Sequence, residues 1–393
     1  MLNKQDLADA ERTALWLAHY NAMPDVRATE TEAGVANDRP DQLASADPAA
    51  WTVAAGWQGL VQDFFARHGI PGEIHSEKWV DFGHNRSQVF EYAYGKSDYL
   101  WVIDADDILV GSMDLTHLEA DTYSLRYGTD FTYWRPQLFN GSERWIYRGV
   151  LHEFPVCVSK EDASKGMVEG EYHMASRRLG ARNLIDPVTK YLGDAHILAQ
   201  ALQRETDPFL TTRYMFYLAQ SYRDAGQPAL AIQWYQRRID AGGWAEEVWR
   251  ARYEIGLLHE LMEDAQTARA CYLDAYEYRP ARAESLYSLA KMCNVRREFF
   301  QARLFLECAA GIPFPQDVLF VSRDVYDYLI CFELSICMYW LGDFERSMAL
   351  SDQLISMKER ISSSVFEQAV KNRAFAVDAL AARRMDVQSM NGI

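Results

Sequence analysis

Three carboxylates, Asp104, Asp106 and Asp107, fall within four positions at the end of "DYLWVIDADD". The apolar run before them, residues 99–103, predicts a buried strand. Acids at such a strand end lie where open α/β sheets bind ligands, outside the carboxyl ends of their strands. Carboxylates this crowded repel one another unless a cation or hydrogen-bond donors intervene. Hard cations such as Mg²⁺ and Mn²⁺ take oxygen ligands, and one or two carboxylates with substrate phosphates form an ordinary Mg²⁺ arrangement. The chemistry on offer is a metal–diphosphate site. The same acids also suit helix capping, with Asp106 or Asp107 accepting from the first turn of a helix.

The elements that position these acids follow from the flanking pattern. Residues 51–175 read as an α/β unit. "GLVQDFFARHG" has helical spacing, with Leu60, Phe64 and Phe65 on one face and Gly69 as terminator. "GEIHSEKW" predicts a short strand and "SQVFEYAYGK" a helix ending near Gly95. "TYSLRYG", "YWRPQLFN" and "RWIYRG" alternate as strands do. Helix alternating with strand predicts a mostly parallel sheet with an antiparallel annex. Residues 1–50 hold a short amphipathic helix over residues 6–20 and then a loop-like or disordered stretch.

From Pro187 onward the pattern is helical almost to the end. Tyr214, Tyr217, Leu218 and Tyr222 share a face. Gly226 breaks that helix, Pro228 opens the next, and Ala231 and Tyr235 line its inner side. "YLAQSY" at Tyr217 returns as "YEIGLL" at Tyr253 and "YSLAKM" at Tyr287, steps of 36 and 34 residues. A degenerate fourth copy centres on "ICMYWLGDFERSMAL", with Gly342 at its turn. A period near 34 with small residues where helices cross is the tetratricopeptide signature. Each pair leaves an apolar face that only the next pair covers, so the pairs stack into a solenoid. Trp234, Tyr235, Trp244 and Trp249 read as core or interface, or else as a sugar-stacking platform.

"WVDFGHNRSQVFEYAYGKSDYLWVIDADDIL" resembles the middle of a family 2 glycosyltransferase of the GT-A fold. Trp79, Phe82, Asn85 and Arg86 precede a helix, and an apolar strand leads into Asp104 and Asp106. "RPQLFNGSERWIYRGVLHE" is similar to the family's acceptor-side segment, and "EGEYHMASRRLGARN" to the histidine that closes its catalytic domain. The two-part plan resembles that of sublancin-type peptide S-glycosyltransferases. The resemblance spans residues 57–350 and implies a role for each matching residue. Asp104 would contact the sugar-nucleotide, with Asn85, Arg86 and Gly149 also on the donor side. Asp106 would ligate Mn²⁺ or Mg²⁺ bridging the diphosphate, and His173 would complete the ligation. Glu153 would be the general base for the acceptor. Asp107 and His152 are further candidates. Bland roles stand beside these. Asn85 and Arg86 suit bracing a helix, Glu153 suits an ion pair with Arg148 or Arg135, and either histidine suits a structural place. The family's nucleobase-binding strands have no clear counterpart, since Ala54, Ala55 and Gly56 stand where acid and hydroxyl residues are expected.

The 393 residues suggest two or three domains. Lys and Arg number 40 against 56 Asp and Glu, a formal net charge of −16, with no basic track for a phosphate backbone or an anionic membrane. No apolar run approaches the ~18–20 residues of a membrane span, and the N-terminus lacks signal-peptide character, so the expected location is cytoplasmic. Six cysteines without a CxxC pair read as buried thiols in a reducing compartment.

The expected architecture is an atypical segment (1–50), a GT-A-like, Rossmann-like α/β domain (51–186) and an all-α tetratricopeptide-type solenoid (187–393). The leading functional expectation is a metal-dependent hexosyltransferase. It would move a sugar from a nucleotide-diphosphate donor, a UDP-sugar above all, to an acceptor that includes peptides or proteins, and it would act as a homodimer. The alternative is a catalytically impaired scaffold acting through its repeats. A third option is a metal-dependent nucleotide or phosphate hydrolase.

Overall fold

A computed structural model describes residues 57–391, apart from 105, 130 and 178–184. The chain divides into two compact units. The first runs up to residue 128 and resumes over 134–234; the second combines 129–133 with the residues from 235 onward.

The first unit begins with helices α1 (Trp57–His68) and α2 (Phe82–Ala93), as the helical spacing requires. Strands follow: β1 (Tyr99–Trp101), β2 (Asp107–Gly111), β3 (Thr122–Tyr127), β4 (Phe131–Asn140), β5 (Trp145–Arg148), β6 (Phe154–Cys157), β7 (Lys165–Met167) and β8 (Tyr172–Ser176). The main sheet has the order β1-β4-β3-β8-β2, with β7 beside β3. β1 pairs antiparallel with β4, and β2 with β8, while β3 runs parallel to β7 and β8. β5 and β6 form an antiparallel hairpin. The expectation of a mostly parallel sheet is therefore corrected to a mixed one. The helices precede the strands instead of alternating with them, and short connections between strands favour antiparallel neighbours. The expected strand in "GEIHSEKW" is also corrected. Side chains tie that segment down in place of a ladder: His75 stacks on Tyr92 at 3.8 Å and Glu73 pairs with Lys96 at 2.7 Å.

Phe90 of α2 packs into a core with Leu100, Val102, Phe139, Trp145 and Tyr147. Its ring meets Phe139 edge-on at 4.9 Å and stacks on Tyr147 at 5.2 Å. Such aromatic pairs contribute about 0.5–1.5 kcal/mol beyond the area they bury. They seat α2 firmly against β5. Gly83 permits that approach, since a Cβ there would lie 2.5 Å from the Gly149 carbonyl oxygen. Helices α3 (Pro187–Leu202) and α4 (Pro208–Asp224) pack together at the end of this unit. Each starts with an Asp cap and a proline in its first turn. Helix α5 (Pro228–Ala241) spans the division.

In the second unit, α6 (Ala245–Leu261), α7 (Ala265–Tyr278), α8 (Glu284–Val295), α9 (Phe299–Ala310), α10 (Ile330–Trp340), α11 (Phe344–Ser356) and α12 (Ser363–Asn391) pack in succession. One turn recurs along the repeats. A single residue takes positive φ: Gly226 (71°), Glu263 (63°), Arg297 (61°) and Gly342 (80°). The residue after it donates its N–H to a carbonyl five positions back: Gln227 to Tyr222, Asp264 to His259, Glu298 to Cys293, Asp343 to Met338. This is the Schellman closure, which satisfies the orphan carbonyls of a helix end. The recurrence makes these helix pairs tetratricopeptide-like repeats, and those of the second unit stack as a solenoid. The spacing lengthens between Arg297 and Gly342 because a loop is inserted there.

That inserted loop is held by its backbone. Glu246 accepts the N–H groups of Val318 and Leu319 at 2.9 and 2.8 Å. Arg282 donates to the carbonyls of Leu319 and Phe320 at 3.3 and 2.9 Å, pairs with Glu284 at 2.8 Å, and lies 3.8 Å over the Trp249 ring. Strand β9 (Val321–Ser322) then pairs with Thr132 and Phe131. Trp249 and Tyr235 are fully buried, in keeping with a core role, whereas Trp244 reaches solvent. All six thiols are free. Cys293 and Cys337 are buried, and burial pushes both thiols up to about 11. Cys308 departs from the expectation and is exposed. Among the described residues no helix is long and apolar enough to cross a membrane.

Candidate functional site

The opening acids sit where the strand pattern places them. Trp101, Val102 and Ile103 are buried, and the Val102 N–H donates to the Gln137 carbonyl at 2.8 Å, carrying the pairing past β1. The chain then leaves the sheet and Asp104 meets two arginines. Arg86, from the second turn of α2, donates to its Oδ1, and Arg135, from β4, donates to its Oδ2 at 2.9 Å. Arg86 Nε also lies 3.0 Å from Glu153 Oε1, between β5 and β6. The two guanidiniums pack near aromatic rings, Arg86 over Tyr147 at 5.6 Å and Arg135 over Tyr127 at 5.9 Å. Burial works against the Arg86 charge, but Glu153 and Asp104 more than offset it and hold its pKa above the usual guanidinium value. Arg135 is raised further, again against burial, chiefly by Asp104.

Asp107 turns into the sheet, opposite Ser176. The Tyr127 hydroxyl donates to its Oδ2 at 2.6 Å, and Gln137 Nε2 donates to that hydroxyl at 2.6 Å. Burial pushes the Asp107 carboxyl up and the Tyr127 hydroxyl well up. The result is a buried polar cluster in which Asp104 and Glu153 balance Arg86 and Arg135.

The implied Mg²⁺ or Mn²⁺ does not fit this donor set. Both Asp104 oxygens carry arginine N–H groups. The Asp106 carbonyl accepts the Arg177 N–H at 3.0 Å, which fixes Asp106 beside Arg177. His173 lies four positions away along β8, opposite Val110, or about 13 Å at the usual strand rise. Asp106 and His173 are therefore not brought together. Among the described residues no group of three or more His, Cys, Asp or Glu side chains is arranged to hold a metal ion.

The remaining candidates occupy structural places. Asn85 accepts the Val80 N–H at 2.8 Å and donates to the Lys78 carbonyl at 3.1 Å, which braces the entry to α2. Gly149, at φ 109°, sets its carbonyl oxygen against Gly83. His152 takes a left-handed φ of 53° and stacks on Tyr217 at 3.8 Å. His173 sits half-buried between the inward-facing Tyr172 and Met174. Glu153 pairs with Arg86, while Arg148 pairs with Asp207 and Arg135 with Asp104. The sequence offers Arg135 only as a partner for Glu153, whereas it pairs with Asp104, and it does not single out Gln137 or Tyr127. One signal existed: Arg135 and Gln137 are two apart in a strand, so both face the same side, where apolar residues would be expected.

No protein-family model matches the sequence, and no curated protein matches it. Solved structures similar to the chain are tetratricopeptide proteins and others of low identity. A tetratricopeptide repeat protein from Parabacteroides merdae is 15% identical over 50% of this chain and 71% of its own, with a TM-score of 0.37. BtubC from P. vanneervenii is 13% identical over 53% of this chain and 94% of its own, with a TM-score of 0.38. YrrB, a tetratricopeptide protein with an unusual peptide-binding site, is 12% identical over 49% and 89%, with a TM-score of 0.35.

Proposed function

We propose that this chain is a protein-interaction module carried by its helical repeats, with the sheet-bearing unit serving as a folded scaffold. The observation that carries this reading is a periodic exposed apolar position. In three successive turns the residue before the helix C-cap is large, apolar and in solvent: Leu261 (73% exposed), Val295 (79%) and Trp340 (55%). Periodic apolar exposure at one structural position is the mark of a contact surface. The partner this surface suits is a polypeptide with apolar residues, and the net charge of −16 over the whole chain speeds encounter with a basic one. The closed ion pairs of Asp104 support the scaffold role of the first unit. The test is fluorescence anisotropy with labelled extended peptides of fixed length and graded Lys and Arg content. Binding should rise with basic content and fall at least tenfold in Val295→Asp/Trp340→Asp. Unchanged binding in that variant refutes the surface.

One observation favours direct glycosyl transfer from a UDP-sugar as a second reading. Arg86 draws Asp104 and Glu153 to the same place although they are far apart in sequence. The resemblance implies that meeting of donor contact and base. Calorimetry with nucleotide-diphosphates, with and without Mn²⁺, separates the two readings. Tight metal-dependent binding that Asp106→Ala abolishes favours the transferase over the scaffold, and silence across the panel supports the scaffold.

A further inference from the structure

We propose that a cavity in the first unit is a seat for a lysine or arginine side chain of a partner polypeptide. The cavity has a volume of about 460 Å³ and is walled by Trp79, Phe82 and Tyr214, with Asp81, Glu205 and Arg204 among its polar lining. That volume lies within the range of ordinary ligand pockets, about 300–1,000 Å³. It exceeds what one long side chain fills, so flanking backbone enters with it.

The walls suit an organic cation. The Trp79 and Phe82 rings meet edge-to-face at 4.8 Å, and Trp79 remains partly open to solvent. Aromatic faces attract ammonium and guanidinium groups and also cover their aliphatic stems. The charges agree. Asp81 uses Oδ1 to accept the His84 N–H at 2.7 Å, and Glu205 uses Oε1 to accept the N–H groups of Thr206 and Asp207, each at 2.9 Å. Among the described residues, the second oxygen of each carboxylate makes no hydrogen bond. Arg204 is a single opposing charge, so the polar lining is net negative. Burial raises the Tyr214 hydroxyl pKa, Glu205 and Asp81 add to that rise, and the Val150 N–H and Arg148 oppose it. An anionic ligand would meet two carboxylates, while a neutral one would leave them unanswered.

A polypeptide suits the site better than a free amine because the apolar wall continues outward. Val80 and Ile197 line the cavity and remain exposed, which gives neighbouring residues of a bound chain a surface to cover. The net charge of −16 speeds encounter with basic partners. This seat lies in the first unit and is independent of the exposed repeat turns, so either assignment can fail alone.

The test uses the full chain and fluorescein-labelled Ala-Leu-Gly-Lys-Gly-Leu-Ala amide, with Gln and Glu counterparts at the central position. Asp81→Asn keeps the helix cap, and Glu205→Gln keeps the acceptor for the backbone, so the double variant removes charge with little else. The Lys peptide should bind at least tenfold more tightly than the Gln peptide, and the Glu peptide most weakly. The double variant should erase that preference, and Arg204→Gln, on the surface, should tighten the Lys peptide severalfold. Equal affinity for the three peptides, or no binding by any, overturns the proposal. So does a preference that survives the double variant. If the double variant fails to fold, an Arg204→Gln chain with unchanged charge preference overturns it as well. Butylamine that binds as tightly as the Lys peptide reassigns the cavity to small amines and overturns the polypeptide seat.

Discussion

Replacing Arg86 with Met tests whether the acid cluster is a structural ion network. Met keeps much of the aliphatic stem and deletes the charge. The Arg86 side chain is 6% exposed, that of Glu153 9% and that of Asp104 16%, so little water can take over. Asp104 retains Arg135 at 2.9 Å, but Glu153 loses its ion-pair partner. Removing one member of a buried ion pair costs about 3–5 kcal/mol, mostly because the other charge stays behind uncompensated. The expected loss for Arg86→Met is thus about 4 kcal/mol. Asp104→Asn should cost less, about 1–3 kcal/mol, because Arg86 keeps Glu153 and Arg135 is the more exposed guanidinium. The decisive comparison is Arg86→Met/Glu153→Leu. It leaves no unpaired charge, and it should recover much of the loss. With two units, one denaturation curve mixes transitions. Amide hydrogen exchange along β1 and residues 134–140 therefore reports the first unit alone. A loss under 1 kcal/mol for Arg86→Met, or a double variant no more stable than the single, would show that the cluster is not a structural ion network.

The repeat turns yield a matched set. A left-handed residue with a side chain costs about 1–2 kcal/mol, and glycine returns part of that through its unfolded-state entropy. Glu263→Gly and Arg297→Gly should therefore each stabilise by about 0.5 kcal/mol, and Gly342→Ala should destabilise by about 1 kcal/mol; thermal melts of the three decide it. Lys160 and then Ser164 hold the Asp121 carboxyl down to about 2. Its folded pKa is below the unfolded value, so its contribution is present above pH ~4 and lost as pH falls through about 2. With Lys160 half-exposed, that contribution is about 1–2 kcal/mol, and Asp121→Asn should flatten the stability curve between those pH values. Glu246→Ala strands the N–H groups of Val318 and Leu319, which should cost about 1–3 kcal/mol and speed hydrogen exchange over residues 318–322. Exchange there equal to wild type would show that the loop is held by other contacts.

Features that depend on near neighbours were readable from the residues alone. The apolar period, Pro228 at a helix start, and Gly226 and Gly342 at turns all act within one or two helical turns, so the helix pairs were legible. The left-handed positions at Glu263 and Arg297 were not, because there the Schellman hydrogen bonds, and no glycine, set the conformation. The strand before Asp104 was legible for the same local reason. Tertiary structure decided what those acids do. Arg86 and Arg135 stand 18 and 31 positions from Asp104, and the strand direction that delivers Arg135 depends on β1 pairing antiparallel with β4. Asp106 and His173 suit one cation as residue types, but the β2–β8 register holds them apart along the strand. Local propensity leaves strand partner and register open. Many pairings satisfy the same alternation, and the choice falls to the packing of side chains far apart in the chain.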